Sequence, residues 1–178
     1  MKIIIIGCPA SGKTTLANII SDKFGVPVLH LDKIFWVKPG GIKQEDFLDL
    51  QKEFMLANNS WIMDGGFTKS PSFNFRIENA DTIIFFDFPK SIIVWRIIKR
   101  LLRDYGKTRK DMPEGRKERL STTVRLIKYI FSKNEKEKRK IILGTLKNLD
   151  YKNIFILHSP KEEEKFLESE FFHEHHGF

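Results

Sequence analysis

The chain has 178 residues, 41% of them hydrophobic, and a formal net charge of +8. This length suits one domain with a sizeable core and argues against a second domain. A single cysteine, Cys8, excludes an internal disulfide and fits a reducing compartment. No apolar run approaches the roughly 18 residues of a membrane span, and the opening Met-Lys-Ile run is too short for a signal peptide. We therefore expect a soluble, cytoplasmic protein without a membrane partner.

The positive charge is concentrated in one region. More than half of the 31 lysines and arginines fall between residues 96 and 140. This excess of positive charge implies an anionic partner, but it does not indicate whether that partner is a nucleotide phosphate or a nucleic acid.

The first predicted elements are a strand, a glycine-rich loop and a helix. Residues 3–6 are β-branched and typical of a strand buried on both faces, and residues 7–14 match Gly-x-x-x-x-Gly-Lys-Ser/Thr before a helix-forming run. The glycines let backbone N–H groups converge on a phosphate, Lys13 would reach the β- and γ-phosphates, and Thr14 would ligate Mg²⁺. The alternative is a glycine-rich turn without a ligand. The pattern predicts an ATP and Mg²⁺ site formed by Gly7, Pro9, Ala10, Ser11, Gly12, Lys13, Thr14 and Thr15.

A second strand is predicted over residues 26–31, followed by Asp32. Ligands of open α/β sheets bind at the carboxyl ends of the strands, which places Asp32 beside the phosphate loop. Its carboxylate would accept the proton of an attacking hydroxyl, or orient Mg²⁺ and substrate, and the alternative is a helix cap. His30 is interpreted as a packing residue.

The next segment, residues 33–60, is interpreted as a cover over an acceptor. It carries Trp36 and a Pro-Gly-Gly hinge, and its apolar spacing predicts a helix over residues 44–58. Trp36 is a candidate for stacking on a ring, with simple packing as an equal alternative.

Two further strands are predicted at residues 61–66 and 80–89. Asp64, near the end of the first, is a second carboxylate at the same sheet edge. It would hold the waters of Mg²⁺, and the alternative is a turn residue. The second strand ends at Asp87, and Pro89 opens the following helix.

The helix predicted over residues 90–104 carries three arginines on one stripe, Arg96, Arg100 and Arg103. Its core face is predicted from Ile92, Ile93, Trp95, Ile97, Ile98, Leu101 and Leu102. With Arg109 in a segment flanked by glycines, the arginines predict a small basic lid at residues 104–116 that closes over the transferring phosphoryl group. A solvated helix face and a plain surface loop are the alternatives.

Residues 116–149 predict two helices or one kinked helix, in which the charged run 134–140 is interpreted as a solvated face. A fifth strand is predicted over residues 153–157 and a last helix over residues 161–172. The histidines at 173, 175 and 176 could bind a metal, but a frayed polar end is the preferred interpretation.

The order of these elements resembles the adenylate kinase-like branch of the P-loop kinases. More narrowly, the chain is similar to the bacterial DNA topology modulation proteins, which are related to FlaR. This similarity rests on the Gly-x-Pro-x-Ser-Gly-Lys-Thr loop, His30-Leu31-Asp32 with Trp36, Trp61-Ile-Met-Asp64-Gly65, Arg76 before residues 80–87, Arg96 and Gly106-Lys-Thr-Arg.

The resemblance covers essentially the whole chain. It implies a three-layer α/β fold of the P-loop NTPase type, with a five-stranded parallel sheet of order 2-3-1-4-5. It also implies Mg-ATP on the phosphate loop and a base-binding loop near Ser159 and Pro160.

By the same resemblance, Asp64 matches the acid of the Asp-Gly-Phe-Pro-Arg motif of nucleotide kinases. This chain has Asp64-Gly-Gly-Phe-Thr-Lys, so the arginine that grips a nucleoside monophosphate is missing from its usual position. Arg76 and Lys69 are the candidate replacements. Because the chain departs from the motif here, the identity of the acceptor is left undetermined.

We therefore predict a Mg-ATP-dependent phosphotransferase acting on a small acceptor. Lys13 and the lid arginines would stabilise charge, Thr14 and Asp64 would serve the metal, and Asp32, Trp36, Asp64 and Arg76 would face the acceptor. The alternative is a DNA-associated ATPase or nucleotide switch. It is supported only by the basic region of residues 96–140, which contains no helix-turn-helix, zinc or single-strand stacking motif.

Overall fold

The computed structural model describes residues 1–107, 119–149 and 151–169. These ranges contain five strands and eight helices. In chain order they are β1 (Lys2–Gly7), α1 (Lys13–Phe24), β2 (Val28–His30), α2 (Leu31–Phe35), α3 (Gln44–Ala57), β3 (Trp61–Asp64), α4 (Ser72–Asn79), β4 (Thr82–Phe86), α5 (Lys90–Asp104), α6 (Leu120–Ile130), α7 (Lys133–Leu146), β5 (Asn153–Leu157) and α8 (Pro160–Leu167).

The described strands form one parallel sheet in the order β2-β3-β1-β4-β5. Central β1 lies between β3 and β4, with Ile5 opposite Asp64 and Gly7 opposite Phe86. Parallel strands end at a common edge, so the start of the phosphate loop and the end of β3 are neighbours. The predicted α/β fold of the P-loop NTPase type and its strand order are confirmed.

Helices pack on both faces of the sheet and give three layers. Along β1, Ile3 and Ile5 belong to one core cluster with buried residues of α1, α5, α6 and α8, whereas Ile4 and Ile6 belong to a second cluster with buried residues of α4 and α7. This alternation follows from the two-residue period of a strand. It explains why the apolar run of β1 is buried on both sides, as its sequence predicts.

The region after β2 differs from the prediction. β2 ends at His30, and α2 begins at Leu31. Leu31 is fully buried and packs with Phe35, one helical turn later, and with Phe47 of α3. Burial of this i, i+4 pair favours a helix here, so Asp32 lies in the first turn of α2.

The bounds of α5 agree with the prediction, but its buried face is narrower. Ile93 and Ile97 are buried against the sheet, whereas Ile98 is 40% exposed, Trp95 is 62% exposed and Leu102 is 78% exposed. A helix that lies on a sheet buries one stripe, and these three side chains fall outside it. The prediction that they belong to the core face is wrong.

The segment predicted as two helices or one kinked helix contains two, α6 and α7. They separate at Phe131 and Ser132, and the Ser132 side chain caps α7 by accepting from the Glu135 amide over 3.3 Å. Helix α4 was not predicted, and α8 begins one residue earlier than expected and ends at Leu167.

Two predicted features lie largely outside the described residues. These are the lid, of which residues 108–116 including Arg109 are not described, and the histidines at 173, 175 and 176. Within the described ranges, no helix is both long enough and apolar enough to cross a membrane.

Candidate active site

The phosphate loop joins β1 to α1 through a turn that depends on glycine. Gly7 has φ of 145°, and a Cβ at this position would lie 2.7 Å from the Phe86 carbonyl oxygen. A side chain is therefore excluded by both conformation and space. Within the turn, Pro9 and Ala10 are half-buried, Ser11 is fully buried, and Thr15 is exposed at the start of α1.

Lys13 is the first residue of α1, and its side chain folds over the loop. Its Nζ donates to the Cys8 carbonyl over 2.7 Å. Burial lowers the pKa of Lys13, while the nearby carboxylates Asp64 and Asp32 act in the opposite direction. Both predicted acids are thus close enough to affect the loop lysine electrostatically.

Thr14 and Asp64 meet at the carboxyl edge of the sheet. Thr14 Oγ1 donates to Asp64 Oδ2 over 2.6 Å. The second carboxylate oxygen, Oδ1, is buried and lacks a hydrogen-bond partner among the described residues. A buried acceptor without a partner is costly, so this oxygen is suited to a metal-bound water or another donor.

His30 joins the same pair, although the sequence analysis interprets it as packing. Its Nδ1 lies 3.2 Å from Asp64 Oδ2. The parallel register of β2 and β3 places His30 directly beside Asp64. The sequence feature that could have predicted this contact is that His30 and Asp64 both lie near the ends of predicted strands.

These residues fit Mg²⁺ held mainly by phosphates and water. The described residues contain no group of three or more His, Cys, Asp or Glu side chains able to hold a metal by themselves. Magnesium in nucleotide sites is commonly bound by one or two protein oxygens together with substrate phosphates. Thr14 Oγ1 and Asp64 are such a donor set.

Asp32 lies in the first turn of α2 and is hydrogen-bonded to the residue that caps that helix. The Trp36 indole Nε1 donates to Asp32 Oδ1 over 3.2 Å, one helical turn away. Trp36 also packs edge-on against Phe35 at a centroid distance of 4.8 Å. Trp36 therefore both packs and orients a carboxylate, a combination that its position in the sequence does not predict.

Arg76 lies inside the protein, next to the turn that follows β3. Its guanidinium is fully buried in α4 and donates to the carbonyls of Gly65 and Gly66 over 2.9 and 2.8 Å. Burial lowers the pKa of Arg76 to about 9, which keeps the group charged at neutral pH. These hydrogen bonds support the turn after Asp64, and the acceptor contact expected from the sequence stays a prediction.

Lys69, the other candidate replacement, is exposed. Its Nζ donates to Glu137 Oε2 over 3.1 Å and to Asn134 Oδ1 at 3.4 Å. These contacts connect the segment after β3 to α7.

The three arginines of α5 separate into different environments. Arg96 donates to the Ser11 carbonyl and pairs with Glu163 of α8 at 3.0 Å, so it contacts the phosphate loop directly. Arg103 is 73% exposed and pairs with Asp104 at 2.8 Å. Arg100, one turn before Arg103, is half-buried. The structure therefore brings Arg96 to the site and leaves Arg103 at the surface.

The loop after β5 leads directly into α8. The Ser159 side chain accepts from the Glu162 amide over 3.3 Å, and Pro160 is the first helical residue. Both are common features of a helix start. Base binding by these residues stays a prediction.

A buried lysine and glutamate on α7 also lie at the loop, and the sequence analysis places both on a solvated face. Lys138 Nζ donates to the Gly7 carbonyl over 3.2 Å and lies 3.6 Å from Glu135 Oε2. Each residue is only 9% exposed. Their burial could not be inferred from the charged run, because it depends on how α7 crosses the sheet edge.

Cys8 is a half-buried free thiol inside the loop. Burial raises the pKa of Cys8 to about 12, and the adjacent Glu135 adds to this effect. The interpretation of Cys8 as a small space-filling residue is favoured.

Arg139, next to Lys138, is paired at the end of β4. Its Nε and Nη2 donate to Asp87 over 2.6 and 2.8 Å. This bidentate ion pair holds α7 against the sheet edge beside the phosphate loop.

Comparison with known proteins supports the broad class. An alignment 123 residues long, which covers 56% of this chain, shows 30% identity to an adenylate kinase of Photorhabdus laumondii. The chain spans 58% of the length of that relative. No family model matches the chain. The similarity and the sheet order together support an adenylate kinase-like P-loop protein.

Proposed function

We propose that the protein is a Mg-ATP-dependent phosphotransferase that moves the γ-phosphate of ATP to a small acceptor. The observation that carries the proposal is the 2.6 Å hydrogen bond between Thr14 and Asp64, beside Lys13. A hydroxyl and an ammonium at a helix N-terminus, with a carboxylate at the neighbouring strand end, are the groups that a magnesium-bound triphosphate requires. The similarity to an adenylate kinase supports the same class of reaction.

On the donor side, the loop amides and Lys13 would bind the phosphates, and Arg96 would add positive charge next to Ser11. Thr14 and Asp64 would hold Mg²⁺, which when bound neutralises charge on the phosphate oxygens. Ser159 and Pro160 would border the base.

On the acceptor side, Asp32 would act on the attacking oxygen. An acceptor hydroxyl would form the new O–P bond as the bond from the γ-phosphorus to the leaving ADP oxygen breaks, and its proton would pass to Asp32. The hydrogen bond from Trp36 orients that carboxylate. The proposal includes a single domain in which residues 33–60 cover the acceptor and residues 104–116 form the lid. It also includes a cytoplasmic location.

The alternative of a DNA-associated ATPase, which the narrower resemblance to topology modulation proteins suggests, has less support. Of the basic residues at 136–140, Lys138 is buried and Arg139 is paired with Asp87. Lys136 and Lys140 are exposed. This run therefore offers fewer charges to a phosphate backbone than its sequence indicates.

The proposal is tested by measuring ADP release from Mg-ATP with nucleosides, nucleoside monophosphates, small hydroxyl compounds and supercoiled DNA in turn. We expect one small acceptor to stimulate turnover, and we expect Lys13→Met and Asp32→Asn to abolish the stimulation. Asp22→Asn is the matched control, because Asp22 is exposed on α1. Stimulation by DNA alone would overturn the kinase proposal.

A further inference from the structure

Lys138 is an ammonium group held inside the protein. It is 9% exposed, although it lies in the most charged stretch of α7. A buried ammonium is costly unless it is paired and hydrogen-bonded. Its described partners are the Gly7 carbonyl at 3.2 Å and Glu135 Oε2 at 3.6 Å.

The ammonium lies between the carboxyl ends of β1 and β3. Gly7 ends β1, and Gly66 is the second residue after Asp64, which ends β3. A Cβ at Gly66 would be 2.9 Å from Lys138 Nζ, so the ammonium rests against the backbone there. Lys138 also acts electrostatically on Lys13 and helps to lower its pKa. The two lysines, on different helices, therefore both lie at the carboxyl end of β1.

Both lysines bind carbonyls of consecutive loop residues. Lys13 donates to the Cys8 carbonyl and Lys138 to the Gly7 carbonyl. A phosphate oxygen carries negative charge and accepts a stronger hydrogen bond from an ammonium than a carbonyl does. An anion bound at the loop would therefore compete for both ammonium groups, and it would reduce the repulsion between them.

We propose that Lys138 is a second phosphate-binding lysine of this site, which binds the terminal phosphate of a nucleoside triphosphate together with Lys13. On binding, Lys138 Nζ exchanges the Gly7 carbonyl for a phosphate oxygen, and Glu135 remains its counter-ion. The inference deepens the proposed function and rests on it for the presence of a nucleoside triphosphate. It makes discrimination of ATP from ADP a property of α7 as well as of the phosphate loop.

The experiment compares Mg-ATP and Mg-ADP affinity by calorimetry for the wild type, Lys138→Met, Lys138→Gln and Lys136→Met. Glutamine can still donate to Gly7 but carries no charge, so it separates phosphate binding from a purely structural contact. Lys136 is exposed on the same helix and provides the matched control. Urea unfolding of each variant reports whether the protein is folded.

We expect both Lys138 variants to weaken ATP binding about tenfold or more, the size of one hydrogen bond to a charged group, and to weaken ADP binding much less. Lys136→Met should bind both nucleotides as the wild type does. If the wild type binds ATP and the folded Lys138→Gln protein keeps its ATP-to-ADP affinity ratio, this inference is wrong and the proposed function stands. If the wild type binds neither nucleotide, both fall together.

Discussion

The Thr14 hydroxyl donates to Asp64 over 2.6 Å and so ties the first turn of α1 to the end of β3, across 50 residues of chain. His30 contacts the same carboxylate oxygen at 3.2 Å. Hydrogen bonds therefore connect the phosphate loop to the ends of the neighbouring strands. A magnesium ion bound at this point would touch both the loop and the sheet edge.

The first prediction concerns the metal. Thr14→Val removes the hydroxyl and keeps the side-chain volume, so we expect the Mg²⁺ concentration for half-maximal ADP release to rise about tenfold or more. Asp64→Asn should have a similar effect. Thr14→Ser keeps the hydroxyl and should remain within a few-fold of the wild type. An unchanged Mg²⁺ requirement in Thr14→Val would exclude Thr14 as a metal ligand.

The order of strands and the phosphate loop could be predicted because the information is local. Residues 3–14 carry the strand pattern, the turn glycines and the lysine within one short stretch. The carboxyl ends of parallel strands then bring acids to one edge, which correctly places Asp64 beside the loop.

The remaining site residues depend on contacts between distant parts of the chain. His30 meets Asp64 across 34 residues, and Lys138 meets Gly7 across 131. Periodicity gives the face of a helix but not the element it packs against, so the burial of Lys138 could not be read from α7 alone. Arg76 shows the same limit, since its partners are the backbone carbonyls of a turn.

The second prediction is that Arg76 stabilises the fold. Arg76→Met retains apolar volume but leaves the carbonyls of Gly65 and Gly66 without their buried donors. We expect the free energy of unfolding to fall by about 3 kcal/mol or more. Urea denaturation measures the loss.

Lys69→Met provides the comparison for Arg76, because Lys69 is exposed and its ion pair with Glu137 is at the surface. Its free energy of unfolding should stay within about 0.5 kcal/mol of the wild type. If Arg76→Met is as stable as the wild type and loses acceptor affinity, Arg76 contacts the acceptor directly, as expected from the sequence, and does not stabilise the fold.

The third prediction concerns the Cys8 thiol, whose pKa rises from 9.0 to about 12. At pH 8 the folded protein should hold about a thousandfold less thiolate than the unfolded chain. Ellman's reagent should therefore react slowly with the native protein and rapidly in concentrated urea. Fast native labelling at pH 8 would contradict the buried, protonated state.

The same shift in pKa gives a pH dependence. Between about pH 9 and about pH 12 the folded thiol keeps a proton that the unfolded thiol has lost, so the folded state binds more protons. The contribution of Cys8 to the free energy of unfolding must fall as pH rises through this window. Cys8→Ala should lose less stability than the wild type between pH 8 and pH 10.

The fourth prediction separates the two roles of Trp36. Trp36→Phe keeps an aromatic ring against Phe35 and removes the indole donor to Asp32. One hydrogen bond of this kind contributes about 0.5–1.5 kcal/mol, so we expect kcat with the identified acceptor to fall several-fold while the KM for ATP is unchanged. The control is Trp95→Phe, because Trp95 is 62% exposed on α5 and lies outside the site. If Trp36→Phe lowers stability but leaves kcat at the Trp95→Phe value, Trp36 only packs, and the orientation of Asp32 must come from another contact.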